Sequence, residues 1–347
     1  MTSPLGLLRE PTGWFSLSGD TVGLMSQPDK EHKTYGEQVQ ILQDRGLIVD
    51  DPIAAERFLA NSNYYRVSAY LHTYRLRKVD GDPAFDERLN EFIDGIHFAQ
   101  VVALYEFDQR MRDLLLAALE SFEICFRAVL AYHAGMRHPH IHLYPELLNE
   151  AFTAQPEAVD RNRLSNYDQW LQKYSSRSDE SKEAFVAWHA ARYDSRLPIW
   201  AAVEIMEFGQ VARLYRGLAL TERDAIARDL GMQARTLASW VAAFNGLRNT
   251  CAHHARVWNR TLVIAPALPK RGSVPALDHL HDLHDRSQKR LYVPAAALAW
   301  FLTTRGLRPE WVEQFRAHVL SFPDDKVISL ADMGFDDEWE QLGLWNP

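Results

Sequence analysis

The chain is short of cysteine, of strand pattern and of long apolar runs, and each shortage removes a class of protein. Cys125 and Cys251 are its two cysteines, both in apolar, helix-like surroundings. That suits buried free thiols in a reducing compartment better than a disulfide framework. No stretch of about 18 uninterrupted apolar residues occurs, so no membrane span is expected. The opening MTSPLGLLREPTGWFSLSGD lacks a basic stretch followed by an apolar run of signal-peptide type, and the expected location is the cytoplasm. Alternating strand patterns, internal repeats and low-complexity tracts are nearly or wholly missing, which leaves an all-α protein as the expectation. At 347 residues and 47% hydrophobic, the chain can bury a sizeable core in one elaborated domain or two closely packed ones.

A net charge of −8 excludes a protein that coats nucleic acid by bulk electrostatics. The charge is uneven, however. No Asp or Glu occurs between Asp229 and Asp278, where chance would place about six, while Arg235, Arg248, Arg256, Arg260, Lys270 and Arg271 fall inside. From Pro323 onward the balance reverses, with seven acids against Lys326. A locally positive surface on an acidic body suits a confined anionic substrate.

Residues 1–33 show no periodicity and are expected to form a loose arm. A helical region follows over 34–95. In it one helix ends at Arg45-Gly46, a second opens at Asp51-Pro52, and a third element holds Tyr64 to Leu71. Over Ile96–His133 apolar residues recur every three or four positions without Pro or Gly, which predicts one long helix. A core over 96–265 is expected, with a polar helical insertion at about 137–196. In that core a helix from Pro198 through Gly209, another capped by Thr221, and a second long helix from Arg235 to about Trp258 are predicted. The remainder, 266–347, reads as a helical extension, with helices near 277–290, 295–304 and 309–320 before the acidic tail.

The chemistry is concentrated in Leu247-Arg248-Asn249-Thr250-Cys251-Ala252-His253-His254-Ala255-Arg256-Val257-Trp258-Asn259-Arg260. On an ideal helix Asn249 and His253 share a strip, while Arg248 lies about 140° from His253. Arg248 and His253 can still act together if the guanidinium sweeps across, if the helix loosens near Ala252, or if a second chain contributes. Attack of a ribose 2′-hydroxyl on its phosphate needs a base and an acid near neutral pH, which imidazole supplies. It also needs a fixed cation for the developing charge, which a guanidinium fork supplies. Residue types alone equally fit cations complementing a helix C-terminus.

The stretch from Arg248 to His253 resembles the Arg-x4-6-His motif of the HEPN superfamily. Continued through His254, Arg256, Trp258 and Asn259, it resembles the L-R-N-x-C-A-H-H-x-R-x-W-N signature of the abortive-infection (Abi) family, in its AbiD/AbiF-like form. Three further segments carry the likeness in order: Tyr35-Gly36-Glu37-Gln38 to Ile48, Asn63-Tyr64-Tyr65-Arg66 to Tyr70, and Leu197-Pro198-Ile199-Trp200 with Glu204, Phe208-Gly209 and Leu214-Tyr215. Ala69 and Val67 depart from the common family residues, away from the proposed chemistry. The resemblance implies a HEPN-type helical bundle, a homodimer, and a metal-independent endoribonuclease of a phage-defence or toxin–antitoxin-like system, with RNA as substrate or partner and an antitoxin as a further partner. By position it implies Arg248 as phosphate ligand, His253 as catalytic histidine with His254 as the alternative, and Asn249 in support. The other reading is a non-catalytic protein that sequesters a small structured RNA.

Four further groups bear on this. Glu120, Glu123 and Arg127 are spaced to form a polar seam facing Arg248, and Arg256 is a second supporting candidate. Tyr64, Tyr65, Arg66 and Arg260 are candidates for RNA contact, the tyrosines equally for helix packing. The histidines at 138, 140 and 142 and the Asp/His run 278–285 lack the Cys pair or HExxH pattern of a metal site, so no metal and no cofactor are expected.

Overall fold

The computed structural model describes residues 31–79, 87–155 and 164–346; the expected N-terminal arm falls almost wholly outside them. The described chain is predominantly helical, in keeping with the all-α expectation. Helix α1 (Tyr35–Asp44) starts at a capping box in which Thr34 and Glu37 each satisfy the other's backbone N–H. Asp51 caps α2 (Pro52–Ser62), with Pro52 at the first turn. Asn63, at φ 62°, turns the chain into α3 (Tyr64–Leu71) and caps it through Tyr65 N–H. A small antiparallel pair follows, β1 (Arg75–Arg77) on β2 (Arg88–Phe92).

The spine is α4 (Phe98–Arg137), 40 residues and roughly 60 Å long at 1.5 Å per residue. After it come α5 (Glu150–Thr153), α6 (Asn166–Glu180) and α7 (Ala184–Arg192), then α8 (Ile199–Ile205), α9 (Phe208–Gly217), α10 (Leu220–Asp229) and α11 (Ala234–Ala252). The last helices are α12 (Tyr292–Arg305) and α13 (Trp311–Leu320). Helices α3 and α8 to α13 all pack on α4. At the centre Phe122 of α4 meets Phe208 of α9, Phe244 of α11 and Phe301 of α12, all buried. Such aromatic contacts add to the burial that holds the bundle. None of the described helices is long and apolar enough to cross a membrane.

Several predicted boundaries move. The helix expected from Pro198 through Gly209 is two helices, broken where Glu207 caps α9 by accepting Gln210 N–H in a capping box. Thr221 is not the cap of α10, whose N-cap is Ala219. The segment 277–290 forms only short 3-10 turns. The acid-rich stretch after Pro323 is folded: Phe335 and Trp345 are buried against Tyr292 and Phe315, buried Trp339 packs on Phe335 and Trp345, and Asp325 accepts the Tyr74 hydroxyl and a Gln100 amide N–H.

Candidate active site

Helix α11 buries Leu237, Trp240, Val241, Phe244, Leu247 and Cys251, so one strip of its last turns is turned outward. Arg248 is exposed there and Asn249 is half-buried. The helix was expected to continue to about Trp258, but it ends at Ala252. His253 is its C-cap, His254 adopts φ 55°, and the N–H groups of His254 and Ala255 return to the carbonyls of Cys251 and Thr250. This is a Schellman turn, with His254 in the left-handed position that favours glycine. Both histidine rings are exposed on it.

What breaks the helix is a buried acid that the sequence reading passed over. Asp108, on the packed face of α4, accepts the N–H of Trp258 at 2.6 Å and of Val257 at 3.2 Å. A continuing helix would have committed those two donors to its own carbonyls. The same carboxylate is bound by the Tyr70 hydroxyl at 2.6 Å and by Arg112 at 2.5 Å. Burial pushes Asp108 above the usual carboxylate value, against the pull of Tyr70, Arg112 and the two amides. Both charges sit in the apolar stripe of α4, between Leu104 and Leu115. Charges at apolar-stripe positions are the signal that would have found them.

Two arginines tie the turn to α3. Arg66 donates to the carbonyl of His254, and Arg256 donates to the carbonyl of Ala69. The structure therefore brings Tyr65 and Arg66 to the histidine turn from 188 positions away. Tyr65 is 68% exposed, whereas Tyr64 is half-buried and accepts a hydrogen bond from Arg45, a packing role. Arg256 is partly buried over the Trp258 ring, so it props the turn, and Arg260 stays exposed just beyond.

The expected seam on α4 divides. Arg127 grips Glu123 and the carbonyl of Val203, fixing Glu123 with its second oxygen 3.9 Å from Nε of Arg248. Glu120 instead pairs with Arg308. Among the described residues no side chain hydrogen-bonds either the His253 or the His254 ring.

The other histidine clusters are taken up individually. His279 meets the Tyr292 hydroxyl, His281 the carbonyl of Pro269, and His142 is fully buried against Trp170 and Tyr174. No group of three or more metal-ligating side chains converges among the described residues.

A family model described as Abi-like protein matches residues 57–259, which takes in α3, the spine, α11 and the whole histidine turn. Neither a curated protein nor a solved structure matches.

Proposed function

The chain belongs to the Abi-like protein family, and from that premise we propose that it is a metal-independent endoribonuclease of HEPN type, of the AbiD/AbiF-like branch, acting in abortive infection against phage. The observation that carries this reading is the end of α11: an exposed Arg248 backed by Glu123, and one turn on an exposed pair of imidazoles on a strapped turn. Arg248 binds a non-bridging oxygen of the scissile phosphate as negative charge develops there. His253, with His254 as the alternative, takes the proton of the 2′-hydroxyl as its oxygen bonds to phosphorus. The 5′-oxygen leaves with a proton from a second imidazole, giving 2′,3′-cyclic phosphate and 5′-hydroxyl ends. Asn249 supports the site. Arg66, Tyr65 and Arg260 extend it along the RNA strand.

The second imidazole comes from the same histidine of a second copy. The face that suits a homodimer lies on α4 and α8. There Tyr132, Met136 and Trp200 are 65%, 71% and 53% exposed around an apolar groove that also includes Val203. Exposed apolar patches of this kind mark interfaces. The carbonyl of Val203 accepts the hydrogen bond from Arg127 that fixes Glu123 opposite Arg248, which links the groove to that arginine.

One observation favours a second reading, that the protein holds a small structured RNA, partner of a toxin–antitoxin-like pair, without cutting it: among the described residues no side chain hydrogen-bonds either imidazole. Incubation of the purified protein with RNA in excess EDTA separates the two. Cleavage lost in Arg248→Ala and His253→Ala is the expected result. A wild type that copurifies with an intact RNA, bound equally well by His253→Ala, overturns the nuclease.

A further inference from the structure

The opposite end of α11 carries a second constellation that the ribonuclease reading does not use. The helix begins after Gln233, which makes no side-chain cap, and no acid lies in its first turn. Its first N–H groups thus keep no intrahelical partner, at the positive end of the helix dipole. They are not left at a bare surface. Gln233 and Thr236 line an open cavity of about 320 Å³, together with Arg228 and Gly231 from the end of α10 and Pro269, Lys270, Ser273 and Val274 from the segment that follows the histidine turn.

Three features distinguish this cavity from an ordinary helix end. Thr236 is 7% exposed, lines the cavity, and its hydroxyl has no hydrogen-bond partner among the described residues. Without a protein partner, that hydroxyl can donate to a ligand oxygen in the cavity. Arg228 and Lys270 also line the cavity, neither is in an ion pair among the described residues, and no acid lines it. Asp229, next in sequence to Arg228, is turned to Arg305 and His133. Finally, the covering segment is fixed: Ala267 is bonded to Ser239 and Trp240 of α11, Pro269 to His281, and Gly272 to Asp278. The acid-free window of the sequence reaches across both ends of α11, which explains why a charge count could not separate this cavity from the histidine turn.

We infer that this cavity binds a phosphate group, either the free ion or the phosphate of a mononucleotide. The phosphate oxygens take the amides of the first turn of α11, the Thr236 hydroxyl and the two cations. Met232, Pro269 and Val274 form an apolar wall that a nucleoside can lean on. Gly231, at φ 76°, ends α10 and lets the chain turn at once into α11, which sets Arg228 beside the helix start. The 19 residues of α11 put this site roughly 27 Å from the histidine turn.

Titration calorimetry of the full chain with inorganic phosphate and, separately, with AMP, in chloride buffer of matched ionic strength, tests the site without reading RNA cleavage, so its outcome is independent of the nuclease proposal. Binding is expected, weakened about tenfold or more by Lys270→Ala or Arg228→Ala and weakened by Thr236→Val. Gln233→Asp places a carboxylate at the cap and is expected to abolish binding with no loss of thermal stability, since Asp is itself a good N-cap. AMP binding at least tenfold tighter than phosphate makes the site a nucleotide site; equal affinities make it a phosphate site. No heat from either ligand at millimolar concentration, or affinities unchanged in Lys270→Ala and Gln233→Asp, overturns the inference.

Discussion

The Asp108 carboxylate accepts the backbone N–H of Trp258 at 2.6 Å, across 150 positions of sequence, and this bond decides where the motif helix stops. It draws the chain back toward α4 just after His253 and His254. Arg66 and Arg256 then hold the reversal against α3. The exposed histidines are mounted on a turn bonded to α3 and α4, not on a free helix end.

Asp108→Asn is expected to destabilise the fold by about 3–5 kcal/mol, because Arg112 is left as an uncompensated charge in a buried place. The Asp108→Asn, Arg112→Leu double variant removes that charge and should recover a substantial part of the loss. Urea denaturation of the three proteins measures it. Equal stability of the single variant and the wild type contradicts the role given to this pair.

His254 stands in the left-handed region, which costs an ordinary residue about 1–2 kcal/mol, against about 0.5–1 kcal/mol for the extra unfolded-state freedom of glycine. His254→Gly should therefore leave the melting temperature unchanged or raise it. The Arg66 bond survives, since it goes to the backbone carbonyl. The same variant separates the two histidines: if His253 is the base, cleavage persists in His254→Gly and vanishes in His253→Ala. A lowered melting temperature counts against the strain argument, and lost cleavage moves the catalytic role to His254.

Much of the frame was legible because local rules agree with the global packing. The Asp51-Pro52 start and the apolar stripe of α4 each state their element outright. The end of α11 was not, since nothing local to Ala252 stops a helix. The cause sits at Asp108, and periodicity is blind to a carboxylate that intercepts amides from afar. The joining of Arg66 to His254 was hidden for the same reason. Both sets of residues stood out by type, but their meeting is a property of how α3 and α11 pack on α4.

The dimer has its own test. Trp200 and Met136 are exposed on the groove beside Arg127, and burying a charge there opposes association. Light scattering after size exclusion should give twice the chain mass for wild type and the single mass for Trp200→Asp or Met136→Asp, with cleavage reduced alongside. A wild type that runs as a monomer at tens of micromolar removes the shared-site mechanism.

His142 makes the stability of the chain depend on pH in a direction that can be worked out. It is fully buried, edge-on to Tyr174, with both ring nitrogens unpartnered among the described residues. Burial lowers its pKa to about 3, while in the unfolded chain it takes up a proton near about 6.5. Between these values the unfolded state binds more protons. The contribution is thus whole above about pH 6.5 and is lost at about 1.4 kcal/mol per unit as the pH falls. His142→Phe keeps the ring packing and removes the titration. Its urea-denaturation free energy should therefore fall less between pH 7 and pH 5 than that of wild type, by about 2 kcal/mol. Other buried histidines, such as His279 and His318, are held low by burial in both proteins and cancel in the comparison. Parallel losses in the two proteins would mean that His142 finds a proton partner inside the fold, and the account of a neutral, unpartnered ring would fail.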